Sequence, residues 1–290
     1  ALVGVLRGLQ EIKKAMFAIF IMTLINALGS YFSVMHWNLG LKGAAYSTVL
    51  SFFVCDVLLI LTLLKKSKNI GLFKRSYESV ETFLSLGNDA LHLTVRTAFL
   101  SLAFFLLIVF STRLGSQTLA AHQIILQLWL LASFTMDGFA VTATALGAKL
   151  IGQRKLKDHL ILSRRLVFLG FLMGVFVSLF YFVCQRPILF FFSQDISIHT
   201  ELKALWLLLI FTQPLNGILY VLDGILFGFK NFSFLRKVIV SGFFLVYLPF
   251  LGLSSLQGMS LFLLWACLFS LNLYRLIGGF YKVFYLESFN

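Results

Sequence analysis

Apolar residues run along this chain in long blocks, separated by short polar and basic clusters. A hydrocarbon core of about 30 Å takes about 20 apolar residues to cross as a helix. By that measure eight blocks are long enough, at residues 14–35, 43–64, 89–112, 117–147, 163–184, 204–229, 237–254 and 258–281. The pattern predicts an all-α membrane protein with eight transmembrane helices. The block at 117–147 is too long for one perpendicular span, so tilt or an extension past the membrane is expected. The block at 237–254 is short and holds Pro249, which predicts a kink or break.

Composition agrees with this reading. Of the 290 residues, 60% are hydrophobic and 12% charged, and the mean hydropathy is +0.94, beyond the range of soluble domains. A net charge of +13 raises the question of nucleic acid, but the basic residues sit between apolar blocks and form no stripe on a polar domain. They orient the helices instead. With the stretch before Lys14 on the cytoplasmic side, the inside connections hold 19 of the 24 Lys and Arg residues, and the outside ones keep only Lys42, Arg113, Arg186 and Lys203. Arg275 is counted inside, and Arg96 falls within a span. The positive-inside rule then puts both ends of the chain in the cytoplasm of a multi-pass protein of the plasma (bacterial inner) membrane.

The stretch Lys65–Gly87 is the one long polar connection, with amphipathic spacing at Leu72, Phe73, Val80, Phe83 and Leu84. It reads as a cytoplasmic linker dividing residues 1–64, with two spans, from residues 88–290, with six. Cys55, Cys184 and Cys267 lie in apolar segments at unrelated spacings, so they predict small core residues and neither a disulfide framework nor a metal site. The chain opens on Ala1 without a signal-peptide pattern and reads as a piece of something longer.

An internal repeat is visible at long range. GVLRGLQ at 4–10 aligns with GILFGFK at 224–230, and one span later GLKGAA at 40–45 falls where SLQGMS stands at 255–260, with Gly43 opposite Gly258. The first pair of spans looks like a repeat of the last pair.

These residues carry a family resemblance. RGLQ at 7–10, LGLKGAAYSTV at 39–49, RTAFL at 96–100, the long block RLGSQTLAAHQIILQLWLLASFTMDGFAVTATALGAKLIGQRK at 113–155, and QPLNGILYVLDGILFGFKNFSFLR at 213–236 make the chain similar to the multidrug and toxic compound extrusion (MATE) family, most closely its DinF-like branch. The resemblance implies a twelve-helix bundle in two six-helix lobes about a central cleft. It also implies export of amphipathic, often cationic, compounds in exchange for H+ or Na+, with no other cofactor. On that map the chain supplies helices five to twelve: 1–64 holds the last two helices of the N-terminal lobe and 88–290 the C-terminal lobe.

Polar residues inside the spans are the candidates for chemistry. Asn26 and Ser30 are four apart and share a helical face, with Thr48 on the next span. The resemblance implies an Asn-x-x-x-Asp motif with that Thr in members with a first-lobe cation site. Here Ser30 stands in place of the acid, and a serine cannot change charge near neutral pH. Asp137 sits about twelve residues, or about 18 Å, from the cytoplasmic end of its span, near the midplane. With Gln123 and Gln127 it forms one polar stripe that should face a cleft or other helices, because a charge at the bilayer centre costs about 2.5–3.5 kcal/mol. Arg96 is deep enough to need a carboxylate, with Asp137 or Asp56 available. Asp223 lies nearer the cytoplasmic rim and is expected to be structural, as are Asp56 and Asp89, the latter as a cap on the start of its helix. Asn216 and Gln213 are expected to line a cavity, beside Pro214. Trp129, Phe134 and Phe139 are candidate stacking surfaces for an aromatic cation.

The expected function is therefore cation-coupled efflux by alternating access, acting on small amphipathic or cationic substrates from the lipid bilayer, as a monomer when full length. Two alternatives are a flippase for a lipid-linked precursor and, if translation begins at Ala1, a truncated remnant that does not transport. No H-E-x-x-H, G-x-S-x-G or P-loop pattern is present, so neither an enzyme nor a catalytic residue is expected.

Overall fold

The computed structural model describes residues 2–9, 11–70, 80–256 and 258–286, which are helical apart from short turns. The helices are α1 (Leu2–Gly8), α2 (Ile12–Met35), α3 (Gly40–Ile70), α4 (Val80–Leu114), α5 (Ser116–Gly152), α6 (Leu156–Val183), α7 (Gln185–Phe192), α8 (Ile196–Gly228), α9 (Phe232–Gly242), α10 (Leu248–Leu256) and α11 (Leu261–Tyr281), with π turns at Phe243–Tyr247 and Lys282–Leu286. Eight helical stretches are long and apolar enough to cross a membrane, and each overlaps one of the eight predicted blocks. The protein is a multi-pass membrane protein, and Phe and Leu side chains on most spans are left exposed for lipid.

The chain divides into two units, Ala1–Glu78 and Ser79–Asn290. In the first, α1 packs on the hairpin of α2 and α3 around Leu6, Ala15, Ala18, Cys55 and Leu59. The hairpin turn places Asn38 and Gly40 at φ 50° and 53°, left-handed angles that Gly and Asn tolerate best. Across the hairpin, Gly29 faces Ser47 and Gly43 faces Ser33 so closely that a Cβ on either glycine would overlap its partner. The aligned pair Gly43 and Gly258 is therefore not equivalent in backbone. Gly258 has φ 93° and finds its counterpart in Gly40, three residues earlier.

In the second unit α8 packs against α5, α6 and α11, and the main core gathers Trp129, Tyr181, Trp206, Tyr247 and Trp265 with aliphatic neighbours. Gly115, at φ 122°, is the whole link between α4 and α5. Asp195 caps α8, its carboxylate accepting from the Ser197 N–H at 2.9 Å, and Ser260 caps α11, accepting from the Leu263 N–H at 3.3 Å.

Several expectations change here. The polar connection is shorter than Lys65–Gly87, because α3 continues to Ile70 and α4 begins at Val80. The expected surface-lying Leu72 and Phe73 lie outside the described residues, and Phe83 and Leu84 are exposed near the start of α4. Asp89 thus lies inside α4 and does not cap its start. Pro249 does not break its span. The π turn at Phe243–Tyr247 precedes it, with the Leu248 N–H donating to the Phe243 carbonyl five residues back, and the helix resumes to Leu256. The Tyr247 hydroxyl pins this turn to α4 by donating to the Ala103 carbonyl at 2.8 Å.

Pro214 lies inside α8. Having no N–H, it leaves the Ile210 carbonyl without its helical donor. The Ser178 hydroxyl on α6 donates to that carbonyl at 2.7 Å, a repair from a neighbouring helix of the kind a membrane interior requires. Ser178→Ala is expected to destabilise the protein by about 1 kcal/mol, read as a lowered unfolding temperature in detergent. An unchanged temperature would mean that the carbonyl finds another donor.

Candidate functional site

Among the described residues, each unit holds a polar cluster within its spans. In the first unit, the Asn26 side-chain oxygen accepts from the Ser30 hydroxyl and from the Thr48 hydroxyl, each at 3.2 Å. The structure thus brings the three residues singled out on α2 and α3 together. Ser30 also shares a 2.7 Å hydrogen bond with Ser47, which the sequence reading missed. Ser47 lies one residue before Thr48 and is buried against Gly29, so its role depends on the close approach of the two helices. The cluster is neutral, consisting of an amide and three hydroxyls. As it stands it can coordinate a cation through oxygen atoms but cannot exchange a proton near neutral pH.

The charged group lies in the second unit. Asp223 on α8 accepts, at one carboxylate oxygen, from Arg96 of α4 and from Arg275 of α11, both at 2.6 Å. Arg275 also donates to Asn272 at 2.7 Å, and the Arg96 guanidinium lies 5.3 Å from the centre of the Phe227 ring. The three charged side chains are between 8% and 14% exposed. Charges this deep persist only when paired and hydrogen-bonded. The pairing supplies Arg96 with the carboxylate it was expected to need, and within this unit that carboxylate is Asp223. It also corrects the placement of Arg275, which lies within α11 and not in a cytoplasmic connection. Nearness to the end of the last apolar block concealed this. The signal that could have found it is Asn272 three residues before Arg275, on the same helical face. The triad carries two positive charges and one negative.

Asp137 is differently placed. It lies on α5 with Gln123 and Gln127, and all three side chains are exposed. The buried face of the same helix is formed by Ala121, Ile125, Leu128, Trp129, Ala132 and Met136. The stripe read from the sequence is therefore an unburied face of this unit. Behind it, Tyr220 of α8 shares a 2.7 Å hydrogen bond with Ser133 of α5. Tyr220 lies on the same helix as Asp223 of the triad.

The remaining candidates scatter. Gln213 and Asn216, expected to line a cavity, are 1% and 3% exposed. Gln213 turns back on its own helix, its amide donating to the Leu209 carbonyl at 2.8 Å, and Gly174 of α6 presses against its backbone. The side chains of Gln213 and Asn216 are thus buried within this unit. Asp56 is exposed on α3 and Asp89 is half-buried on α4. Trp129 is buried, its ring 5.6 Å from that of Trp265, whereas Phe134 is 69% exposed and is the better stacking surface of the two. Cys55, Cys184 and Cys267 are all free thiols. Among the described residues, no group of His, Cys, Asp and Glu is arranged to hold a metal ion.

Comparison with known proteins supplies the family. Protein DETOXIFICATION 43 of Arabidopsis thaliana is 30% identical over 235 residues, covering 81% of this chain and 44% of that protein. DNA damage-inducible protein F of Escherichia coli (strain K12) is 25% identical over 288 residues, covering 91% of this chain and 61% of that one. A solved structure described as the outward-facing conformation of a multidrug resistance MATE family transporter of the MOP superfamily shares the fold, with a TM-score of 0.81 at 19% identity over 99% of this chain and 65% of that chain. The chain spans about half the length of the curated relatives it matches. The MatE family model matches residues 93–252, from α4 into α10 and more than half of the sequence, and on that match this chain belongs to the MatE family.

Proposed function

We propose that the protein containing this chain is a secondary active efflux transporter. It exports amphipathic or cationic compounds across the plasma membrane in exchange for protons or sodium ions, and Asp137 is the coupling carboxylate of the second unit. On this reading the basic connections, and with them both ends of this chain, face the cytoplasm, and the full-length protein works as a monomer.

The observation that carries the reading is the exposed polar stripe of Gln123, Gln127 and Asp137 on α5 in a chain of this family. Asp223 is held between two guanidiniums, so its carboxylate is taken up by the packing of α4, α8 and α11. Asp137 stands with Gln123 and Gln127 on an unburied face, where a proton or cation has a path to it. Binding there favours one conformation, and a competing cationic substrate favours the other, as alternating access requires. The neutral Asn26–Ser30–Thr48 cluster offers oxygen ligands only, so proton coupling falls to the second unit. A flippase for a lipid-linked pyrophosphate would need embedded cations open to the headgroup. Arg96 and Arg275 are both engaged by Asp223, which disfavours that alternative.

The test is gradient-driven counterflow by the full-length protein in proteoliposomes. Asp137→Asn is expected to lower counterflow to the level of protein-free vesicles while insertion and unfolding temperature stay unchanged. Undiminished flux in that variant would reject Asp137 as the coupling group.

A further inference from the structure

A groove on the second unit, separate from both polar groups, has the shape and charge of a lipid site. It lies where α6, α8, α11 and the π turn after α11 meet, with a volume of about 980 Å³ counting the part open to its surroundings. Its walls include Phe168, Phe171, Ile218, Phe280 and Tyr285, and its one charged lining residue is Arg164. Phe168, Phe280 and Tyr285 are 59%, 44% and 57% exposed, so the aromatic walls are not closed by the described residues.

Depth follows from helix length. After Arg165, α6 runs from Leu166 to Val183 without a charge. That stretch is about 27 Å long at 1.5 Å per residue, close to the hydrocarbon thickness of about 30 Å. Arg164 therefore lies at the boundary between hydrocarbon and headgroups. Phe171 is about 10 Å deeper along α6, and on the facing wall Ile218 lies about 15 Å from the end of α8 at Gly228 on the same side. The groove thus starts at headgroup level and descends through about half the bilayer, the reach of one acyl chain.

Charge selects the headgroup. Between 149 and 165 six basic residues stand with one acid, Asp158, and Arg164 is the one of them that lines the groove. A basic pocket between membrane helices at this level recognises an anionic lipid phosphate. We propose that the groove holds an anionic phospholipid, its phosphate on Arg164 and one acyl chain along Phe168, Phe171 and Phe280. The site does not rest on the efflux reading.

The test uses the full-length protein in detergent, with phosphatidylglycerol and phosphatidylcholine of matched chains as probes and native mass spectrometry as the readout. Phosphatidylglycerol should be retained in preference to phosphatidylcholine. Arg164→Gln should weaken that retention about fivefold, the effect of one interfacial cation. Lys157→Gln removes the same charge from the same side but not from the groove, and should change nothing. Val167→Trp fills the groove while keeping the charge and should also release the lipid; unfolding temperature without added lipid shows that each variant is folded. Equal retention of the two lipids, or equal loss in the Arg164 and Lys157 variants, would overturn the proposal in favour of diffuse attraction to a basic surface.

Discussion

Gly217→Ala is expected to lower the stability of the second unit by about 3 kcal/mol, at the upper end for overpacked interiors. The glycine lies on α8 where it crosses Gly170 and Gly174 of α6, and a Cβ at position 217 would overlap the Gly170 carbonyl oxygen. That neighbour is backbone, so no side-chain rotation relieves the overlap. The two helices must separate. Separation would also loosen the contact of Gly174 with Gln213 and Pro214, and with it the 2.7 Å hydrogen bond from Ser178 that satisfies the Ile210 carbonyl. Membrane helices have little hydrophobic drive to associate and rely on such close packing, so the loss is not recovered elsewhere. Gly252→Ala is the control. Nothing lies within 4 Å of a Cβ there, and the change should be neutral or stabilising by about 0.5–1 kcal/mol through helix propensity. Thermal unfolding in detergent reads both. Equal unfolding temperatures for Gly217→Ala and the parent would mean that α6 and α8 do not approach this closely.

The spans could be read from the sequence because each needs its own long apolar run, a property local to the chain. Asp137 with Gln123 and Gln127 was legible for the same reason: they share one helix, and a period of 3.6 residues fixes their common face. The partners of Arg96 were not. Asp223 is 127 residues from Arg96 and 52 from Arg275, and no helical period relates side chains on different helices. The same limit applies to Gln213 and Asn216, polar on their own helix but buried in the unit, with the backbone of Gln213 met by Gly174 of α6. That contact leaves a faint signal, since Gly170 and Gly174 are small residues four apart, the pattern of a close membrane crossing. The helix α7, with sequence QRPILFFF, is too short to register as a span. The ends of α3 and α4 escaped because helix continues past the apolar block into residues that look like a polar loop.

Replacing Asp223 gives the largest expected effect, and its size relative to the arginine substitutions tests the triad itself. Asp223→Asn keeps the volume and one acceptor oxygen but removes the charge, leaving two guanidiniums that are 14% and 8% exposed without a counterion. Breaking a buried ion pair by removing one partner costs about 3–5 kcal/mol, and here the abandoned charges also repel each other. The variant should insert poorly and unfold well below the parent. Arg96→Gln should be milder, because Asp223 keeps Arg275 and the site becomes a neutral pair, with Arg275 still anchored by its 2.7 Å bond to Asn272. Combining Asp223→Asn with Arg96→Gln should recover part of the loss, since one unpaired cation is less costly than two. The ordering is read from the yield of monodisperse protein and its unfolding temperature. A triad in which Arg96→Gln proved as damaging as Asp223→Asn would not be held together by its single carboxylate, and the packing of Arg96 on Phe227 would then carry more of the stability than its charge.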